Sequence, residues 1–130
     1  MTTTADPITL TLATLPALGA DIDGGTFAGL TTRKDGTHCA VVLLPTQGAK
    51  LTWKNAIDWA AEQGGELPSC PVAALLFANL KPLVAPRWHW TSETDEDDAS
   101  CAWHCDFNYG LQHDFHKSYE GSARAVRRSS

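Results

Sequence analysis

Two apolar patterns of helical spacing stand back to back in the middle of this chain, and they limit the folds that it can adopt. The first follows Thr52, a residue type favoured at helix N-caps, and ends at Gly64 and the glycine after it. The second follows Ser69 and ends before Pro82, with a proline in its first turn, where a missing amide is tolerated. The sequence therefore predicts two helices, at about 52–63 and 70–80.

Strand patterns stand on both sides of the predicted helices. The run from His38 to Leu44 is apolar on both faces, as in a central strand. The Asp35-Gly36 pair before this run is a hairpin-turn signal, and Pro45 to Lys50 after it is interpreted as a loop. Strands are expected near residues 8–12, 26–32, 38–44, 88–91, 102–107 and 123–127.

Strands before and after a pair of helices indicate an α+β domain. With 130 residues, the chain has the length of one domain with a core of its own. We expect that single domain, 1–130, to have three parts. These are N-terminal strands (1–36), a central strand with the two helices (37–87), and C-terminal strands with long irregular loops (88–130).

The C-terminal third concentrates residue types that form cores or sites. It holds three of the five tryptophans, four of the five histidines, both tyrosines and two of the four cysteines. These residues lie between glycines and acidic residues with little helical or strand periodicity. We therefore predict a contact surface here, with Trp90 and Trp103 forming part of the core beneath it.

Bulk properties exclude several classes of partner. The net charge of −5 argues against nucleic acid, which requires a basic face. No apolar stretch approaches the 18 residues of a membrane span, and no secretory signal pattern begins the sequence, so we expect no membrane insertion and assign no compartment.

Short motifs complete a likeness to a known family. The segment LTWKNAIDWAAEQGGELPSCPVAALLFANL (51–80) has a W-x-x-A helix, a GG-x-LP ending and a second helix with an LL pair. WHWTSET (88–94), the AW at 102–103, the DF at 106–107 with Gly110, and the closing ARAVRR (123–128) follow in order. In these pieces the chain resembles small domains distantly related to C-type lectins and the formylglycine-generating enzyme. The resemblance implies a C-type-lectin-like fold, with two helices packed on short antiparallel strands and long C-terminal loops.

Domains of this kind occur at the ends of collagen-like adhesins and in variable proteins of phages and bacteria, where a diversity-generating retroelement rewrites codons near the C-terminus. By this resemblance the variable segment is 99–116. Each residue of the predicted displayed set has a codon that randomising the first two adenines of an asparagine codon can reach. The set comprises Cys101, His104, Cys105, Asn108, Leu111, His113, Asp114, Phe115 and His116, with Trp88 and His89 as flanking contacts.

The function that follows from the resemblance is binding, without catalysis and without a cofactor. The expected partner is a cell-surface protein or glycan. Assembly as a homo-oligomer, or attachment to a larger virion or surface protein, also fits such a domain.

Four alternatives remain open from the residues alone. His113 and His116, with His104, Cys101 and Cys105, supply imidazole and thiolate ligands for zinc, although their spacing matches no zinc motif. The acidic run from Glu93 to Asp98 supplies oxygens for calcium. Cys105 with His104 or His113 would make a nucleophile and base. A structural virion subunit would use the same surface for assembly alone.

Overall fold

The computed structural model describes residues 14–129. The strand predicted near residues 8–12 lies outside the described residues. Two α-helices, α1 (Trp53–Glu62) and α2 (Cys70–Leu80), are followed by a short 3-10 helix, Lys81–Leu83. The strands are β1 (Asp21–Ile22), β2 (Gly25–Thr32), β3 (His38–Leu51), β4 (Trp88–Thr94), β5 (Cys101–Asp106), β6 (Gln112–His116) and β7 (Gly121–Ser129).

All seven strands join in one mixed sheet with the order β1-β2-β3-β7-β4-β5-β6. The pairing of β4 with β7 is parallel, and the other pairings are antiparallel. The expected fold, two helices packed on short antiparallel strands with long C-terminal loops, is wrong. Of the described residues, 45% lie in strands and only 22% in helices, so the sheet dominates the fold.

Two segments interpreted as loops account for this difference. Pro45 to Lys50 continues β3, which runs for 14 residues, because the ladder with β7 shifts register between Leu43 and Gln47. A register shift of this kind accommodates a proline, which has no amide to donate. The second segment is β6, where pairing with β5 organises a mixed sequence into an edge strand.

The two predicted helices are confirmed. The Oγ of Ser69 accepts a hydrogen bond from the amide of Val72 at 3.3 Å, which caps α2. Thr52 stands at the N-cap of α1 but makes no side-chain capping bond. Gly64, two residues after α1 ends, has a φ of +83°, which glycine adopts readily.

The helices cover opposite faces of the sheet. Leu43 packs in the core cluster of α2, whereas the next residue, Leu44, packs in the cluster of α1. In β7, Val126 packs in the cluster of α2, and its neighbour Ala125 packs in the cluster of α1. Neighbouring residues of a strand point to opposite faces, so the sheet is the middle layer between α1 and α2.

Candidate functional site

Strand alternation divides the predicted displayed set between the two faces of β4, β5 and β6. Opposite His104 lies His113, and opposite Ala102 lies Phe115. With Trp88 and Trp90, the residues His104, His113 and Phe115 form what we call the aromatic face, on the side of α1. The intervening strand residues Cys101, Asp114 and His116, together with Asp95 and Asp98 from the loop between β4 and β5, form what we call the acidic face.

Two residues of the predicted displayed set, His104 and Cys105, are buried, so the prediction that they are displayed is wrong, and the flanking His89 is buried as well. His89 and His104 expose 2% of their surface, and Cys105 exposes none. The physical reason is that β4 and β5 are interior strands, with a neighbour on each edge and packed side chains on both faces.

The other predicted residues lie nearer the solvent. Cys101, Phe115 and the flanking Trp88 are half-buried. Exposed positions are Asn108, Leu111, His113, Asp114 and His116. Of the two tryptophans assigned to the core, Trp90 is fully buried and Trp103 is half-buried.

His89 is a core histidine with its hydrogen bonds made. Its Nδ1 lies 2.9 Å from the carbonyl oxygen of Arg87, and its Nε2 lies 3.0 Å from the side-chain nitrogen of Gln47. Burial lowers the pKa of His89 to about 4, so the ring is neutral at pH 7. Both ring nitrogens are therefore engaged, and none is left for a ligand.

His104 is the centre of an aromatic cluster. Its ring centroid lies 3.7 Å from that of Trp90 in an edge-on arrangement and 4.5 Å from that of Phe115 in a stacked one. Phe115 in turn lies 5.2 Å from Trp88 and 5.6 Å from Tyr119. These contacts hold the half-buried rings in fixed orientations.

Neither ring nitrogen of His104 has a hydrogen-bond partner, although both are buried. Burial lowers the pKa of His104 to about 4, so at pH 7 the imidazole is neutral, with one N–H donor and one lone pair. A buried polar group without a partner costs about 1–3 kcal/mol, and such groups are rare in folded proteins. His104 is thus the group in this cluster with unused hydrogen-bonding capacity.

A groove of about 460 Å³ opens over His104. This volume falls in the range of small-ligand sites. The lining residues come from the end of β3, the start of β4, strands β5 and β6 with the turn after β5, and the segment that enters β7. They are Ala49, Lys50, Pro86, Arg87, Trp88, His104, Asn108, Phe115, Tyr119, Glu120, Gly121 and Ser122.

Gly121 packs closely against the edge of His104 and helps to bury its nitrogens. A Cβ at this position would stand 3.1 Å from both Cε1 and Nε2 of the imidazole. The sequence prediction did not include Gly121, Tyr119, Lys50, Arg87 or Glu120. A glycine at the start of a strand is a signal of close approach, but its partner 17 positions earlier could not be inferred from it.

The residues proposed as metal ligands do not come together in one site. Among residues 14–129, no group of three or more histidine, cysteine or acidic side chains is placed to hold a metal ion. The ligands proposed for zinc are divided between the two faces of the sheet. In the calcium candidate, Asp95 and Asp98 accept hydrogen bonds from the amides of Asp97 and Ser100.

The cysteine–histidine pair is not poised for nucleophilic attack. Cys105 is buried, and burial raises the pKa of its thiol to about 11. Desolvation and a hydrogen bond to Asp98 raise the pKa of the Cys101 thiol as well. Because the thiolate is the reactive form, both groups are weak nucleophiles at neutral pH.

The helices of the described residues are too short to cross a membrane. Comparison of the sequence with protein-family models gives no match, and comparison with curated proteins gives no significant match.

Proposed function

We propose that this protein binds a macromolecule on a cell surface, without catalysis, and that the groove over His104 is its recognition site. The observation that carries the proposal is the groove of about 460 Å³ with Trp88, Phe115 and Tyr119 in its lining.

The aromatic residues support binding in a second way. Phe115 and Trp88 are held by contacts with each other and with His104, so few rotamers remain to be frozen when a partner arrives. A preorganised surface loses less conformational entropy on association, which raises affinity for a given contact area. Large aromatic side chains are also the residues that most often dominate binding energies.

The test is a pair of matched tyrosine substitutions. Tyr119 lines the groove and is 59% exposed, whereas Tyr109 is 79% exposed and lies outside it. Wild-type protein and the variants Tyr119→Ala and Tyr109→Ala would be applied to immobilised panels of glycans and of extracellular protein domains. We expect Tyr119→Ala to weaken binding at least about tenfold, as for an aromatic anchor, with an unchanged melting temperature.

Equal binding by the two variants would contradict the proposal that the groove is the recognition site. Loss of binding with a lowered melting temperature in Tyr119→Ala would be resolved with Lys50→Glu, a rim change that reverses charge without removing a packed ring.

We also propose that the displayed positions are diversified. Some of the predicted positions are exposed and others are buried. This difference makes the hypothesis more specific, because only exposed side chains change freely without disturbing the core. Variation among sequences of the same locus in related isolates should fall on Asn108, Leu111, His113, Asp114 and His116. His104 and Cys105 should be invariant, and changes spread evenly along the gene would count against diversification.

A further inference from the structure

The outer edge of β6 is open for pairing with a further strand. β6 ends the sheet, and among residues 14–129 it pairs with β5 alone. With five residues it has the length of an ordinary strand. An edge strand presents a row of unpaired amides and carbonyls, and an extended segment of another chain can add to it through backbone hydrogen bonds.

Two backbone hydrogen bonds show which residues of β6 face outward. The amide of Asp106 donates to the carbonyl oxygen of Leu111 at 2.8 Å, and the amide of Lys117 donates to that of Ser100 at 2.9 Å. In an antiparallel ladder such bonds fall on every second residue, so the residues between them turn their amides and carbonyls away from the partner strand. These outward residues of β6 are Gln112, Asp114 and His116.

The backbone groups of the outward residues are available to a partner. Within residues 14–129, none of their three amides donates to a loop, a turn or a side chain of another residue. The carbonyl oxygen of His116 accepts a hydrogen bond of 3.0 Å from the amide of Tyr119, whereas those of Gln112 and Asp114 accept none outside the sheet. Asp114 and His116 are also exposed. The edge thus offers donors and acceptors that an added strand would pair.

The charge beside this edge favours a basic segment. Side chains of an added strand alternate between the faces, so the one opposite Asp114 lies on the acidic face and its neighbours lie beside Phe115 on the aromatic face. A hydrogen bond with Asp95, together with its negative charge, raises the pKa of the Asp114 carboxyl. Lys117, the nearest cation along the chain, lies over the ring of Trp53 at 4.3 Å. A cation opposite Asp114 would relieve the repulsion between the two carboxylates.

A second copy of this chain fits the edge less well. The antiparallel register that uses all three outward residues of both copies would set Asp114 opposite Asp114. Like charges directly opposite each other destabilise a strand pair.

We infer that β6 receives an extended, basic segment of a partner protein, which adds to the sheet as an antiparallel strand with a lysine or arginine opposite Asp114. Antiparallel pairing is the slightly more stable arrangement. β6 borders the groove through Phe115, but the docking contacts are those of its backbone and of the acidic face. The inference therefore goes beyond the proposed function and does not depend on it.

The experiment titrates the full chain with three acetylated and amidated pentapeptides. The first alternates valine with lysine (Val-Lys-Val-Lys-Val), and the second has glutamates in place of both lysines. The third is the lysine peptide N-methylated at both lysine amides, which antiparallel pairing directs at β6. We expect the lysine peptide to bind at least about fivefold more tightly than either of the others, because they lose the opposite charges or the backbone donors.

Two neighbouring amides of β6 report where the peptide docks. By NMR, the outward amide of Asp114 should exchange rapidly with solvent in the free chain and slowly at saturating lysine peptide. The amide of Phe115, which faces β5, should be protected in both states. Asp114→Lys should reverse the preference between the lysine and glutamate peptides. Asp58→Lys, the same change of charge on the exposed surface of α1, should leave the preference as in the wild type.

Several results would overturn the inference. These are no binding of the lysine peptide, equal binding of the lysine and glutamate peptides, or equal binding of the N-methylated peptide. Protection of the Asp114 amide that rises with protein concentration in the absence of peptide would also overturn it, because the occupant would then be a second copy. The groove has its own test in Tyr119→Ala, so the inference and the proposed function fail independently.

Discussion

The two faces of strands β4, β5 and β6 are built from neighbouring residues of one short sequence, yet they differ in nearly every physical property. The aromatic face packs its rings together around a buried histidine with unused hydrogen-bonding groups. The acidic face exposes carboxylates that mainly hydrogen-bond to their own loop, as Asp95 and Asp98 do. The difference shows that a dense run of histidines, cysteines and acidic residues does not form one site when it folds into a strand. The side chains of alternate residues point to opposite faces of the sheet.

The largest expected contrast between the faces is in stability. Trp90 is fully buried on the aromatic face, and its Nε1 donates a hydrogen bond of 2.8 Å to the carbonyl oxygen of Leu51. Trp90→Ala should lower the free energy of unfolding by about 3–5 kcal/mol, as removal of a buried aromatic ring does. Trp103, half-buried on the opposite side of β5, provides the matched substitution.

Urea denaturation of Trp90→Ala and Trp103→Ala measures the contrast. The second variant should lose clearly less stability than the first, since part of its ring is already in water. A similar loss of stability in both variants would show that the aromatic face and the acidic face are equally well packed.

The second contrast concerns how the stability of the fold depends on pH. Burial lowers the pKa of His104 to about 4, below its ordinary value of 6.5. The unfolded chain therefore binds a proton that the folded chain does not, so stability is lost as the pH falls from about 6.5 to about 4 and is fully present above that window. For His104 the loss should be about 3 kcal/mol, and the equally lowered His89 should add a similar one.

Substitution of His104 separates its contribution to the pH dependence of stability from the contributions of other groups. His104→Phe should flatten the pH dependence by roughly half and should raise the stability at pH 7 by about 1–3 kcal/mol, because an unpartnered polar ring is removed. A His104→Phe profile with the wild-type slope would mean that the ring of His104 is hydrated or paired in solution.

The helices could be predicted because their signals are local. Ser69 caps α2 and Gly64 follows α1, each within a few residues of the turn that it controls. The long β3 and the edge strand β6 depend instead on partners far away in sequence. Pro45 is tolerated by a shift in the ladder with β7, and Gln112 to His116 becomes a strand by pairing with β5. Contacts between segments that are far apart in sequence leave no periodic pattern in either segment alone.

The candidate site shows the same limit. The aromatic and polar residues of the C-terminal third indicated a site, but recognition of β6 was needed to divide them by face. With that strand in place, alternation alone would have separated His113 and Phe115 from Asp114 and His116. The rim could not be predicted, because Lys50, Arg87 and Gly121 reach the groove from three separate segments.

The smallest expected effect lies on the acidic face. A hydrogen bond with Asp95, together with its negative charge, raises the pKa of the exposed Asp114 carboxyl. The folded state thus holds the Asp114 proton more tightly than the unfolded state, so the ionised pair destabilises the fold above the ordinary carboxyl pKa and ceases to do so below it.

Asp114→Asn should therefore raise the melting temperature by at most a few degrees at pH 7, and this gain should vanish below about pH 4. Salt should also reduce the gain, because exposed charges are screened by ions. Asp58→Asn is the opposite control, since Asp58 pairs with Lys54 at 2.7 Å on the surface of α1 and its loss removes an attraction. A melting temperature that falls in Asp114→Asn would mean that this carboxylate forms a favourable contact, and the acidic face would then be a second organised surface.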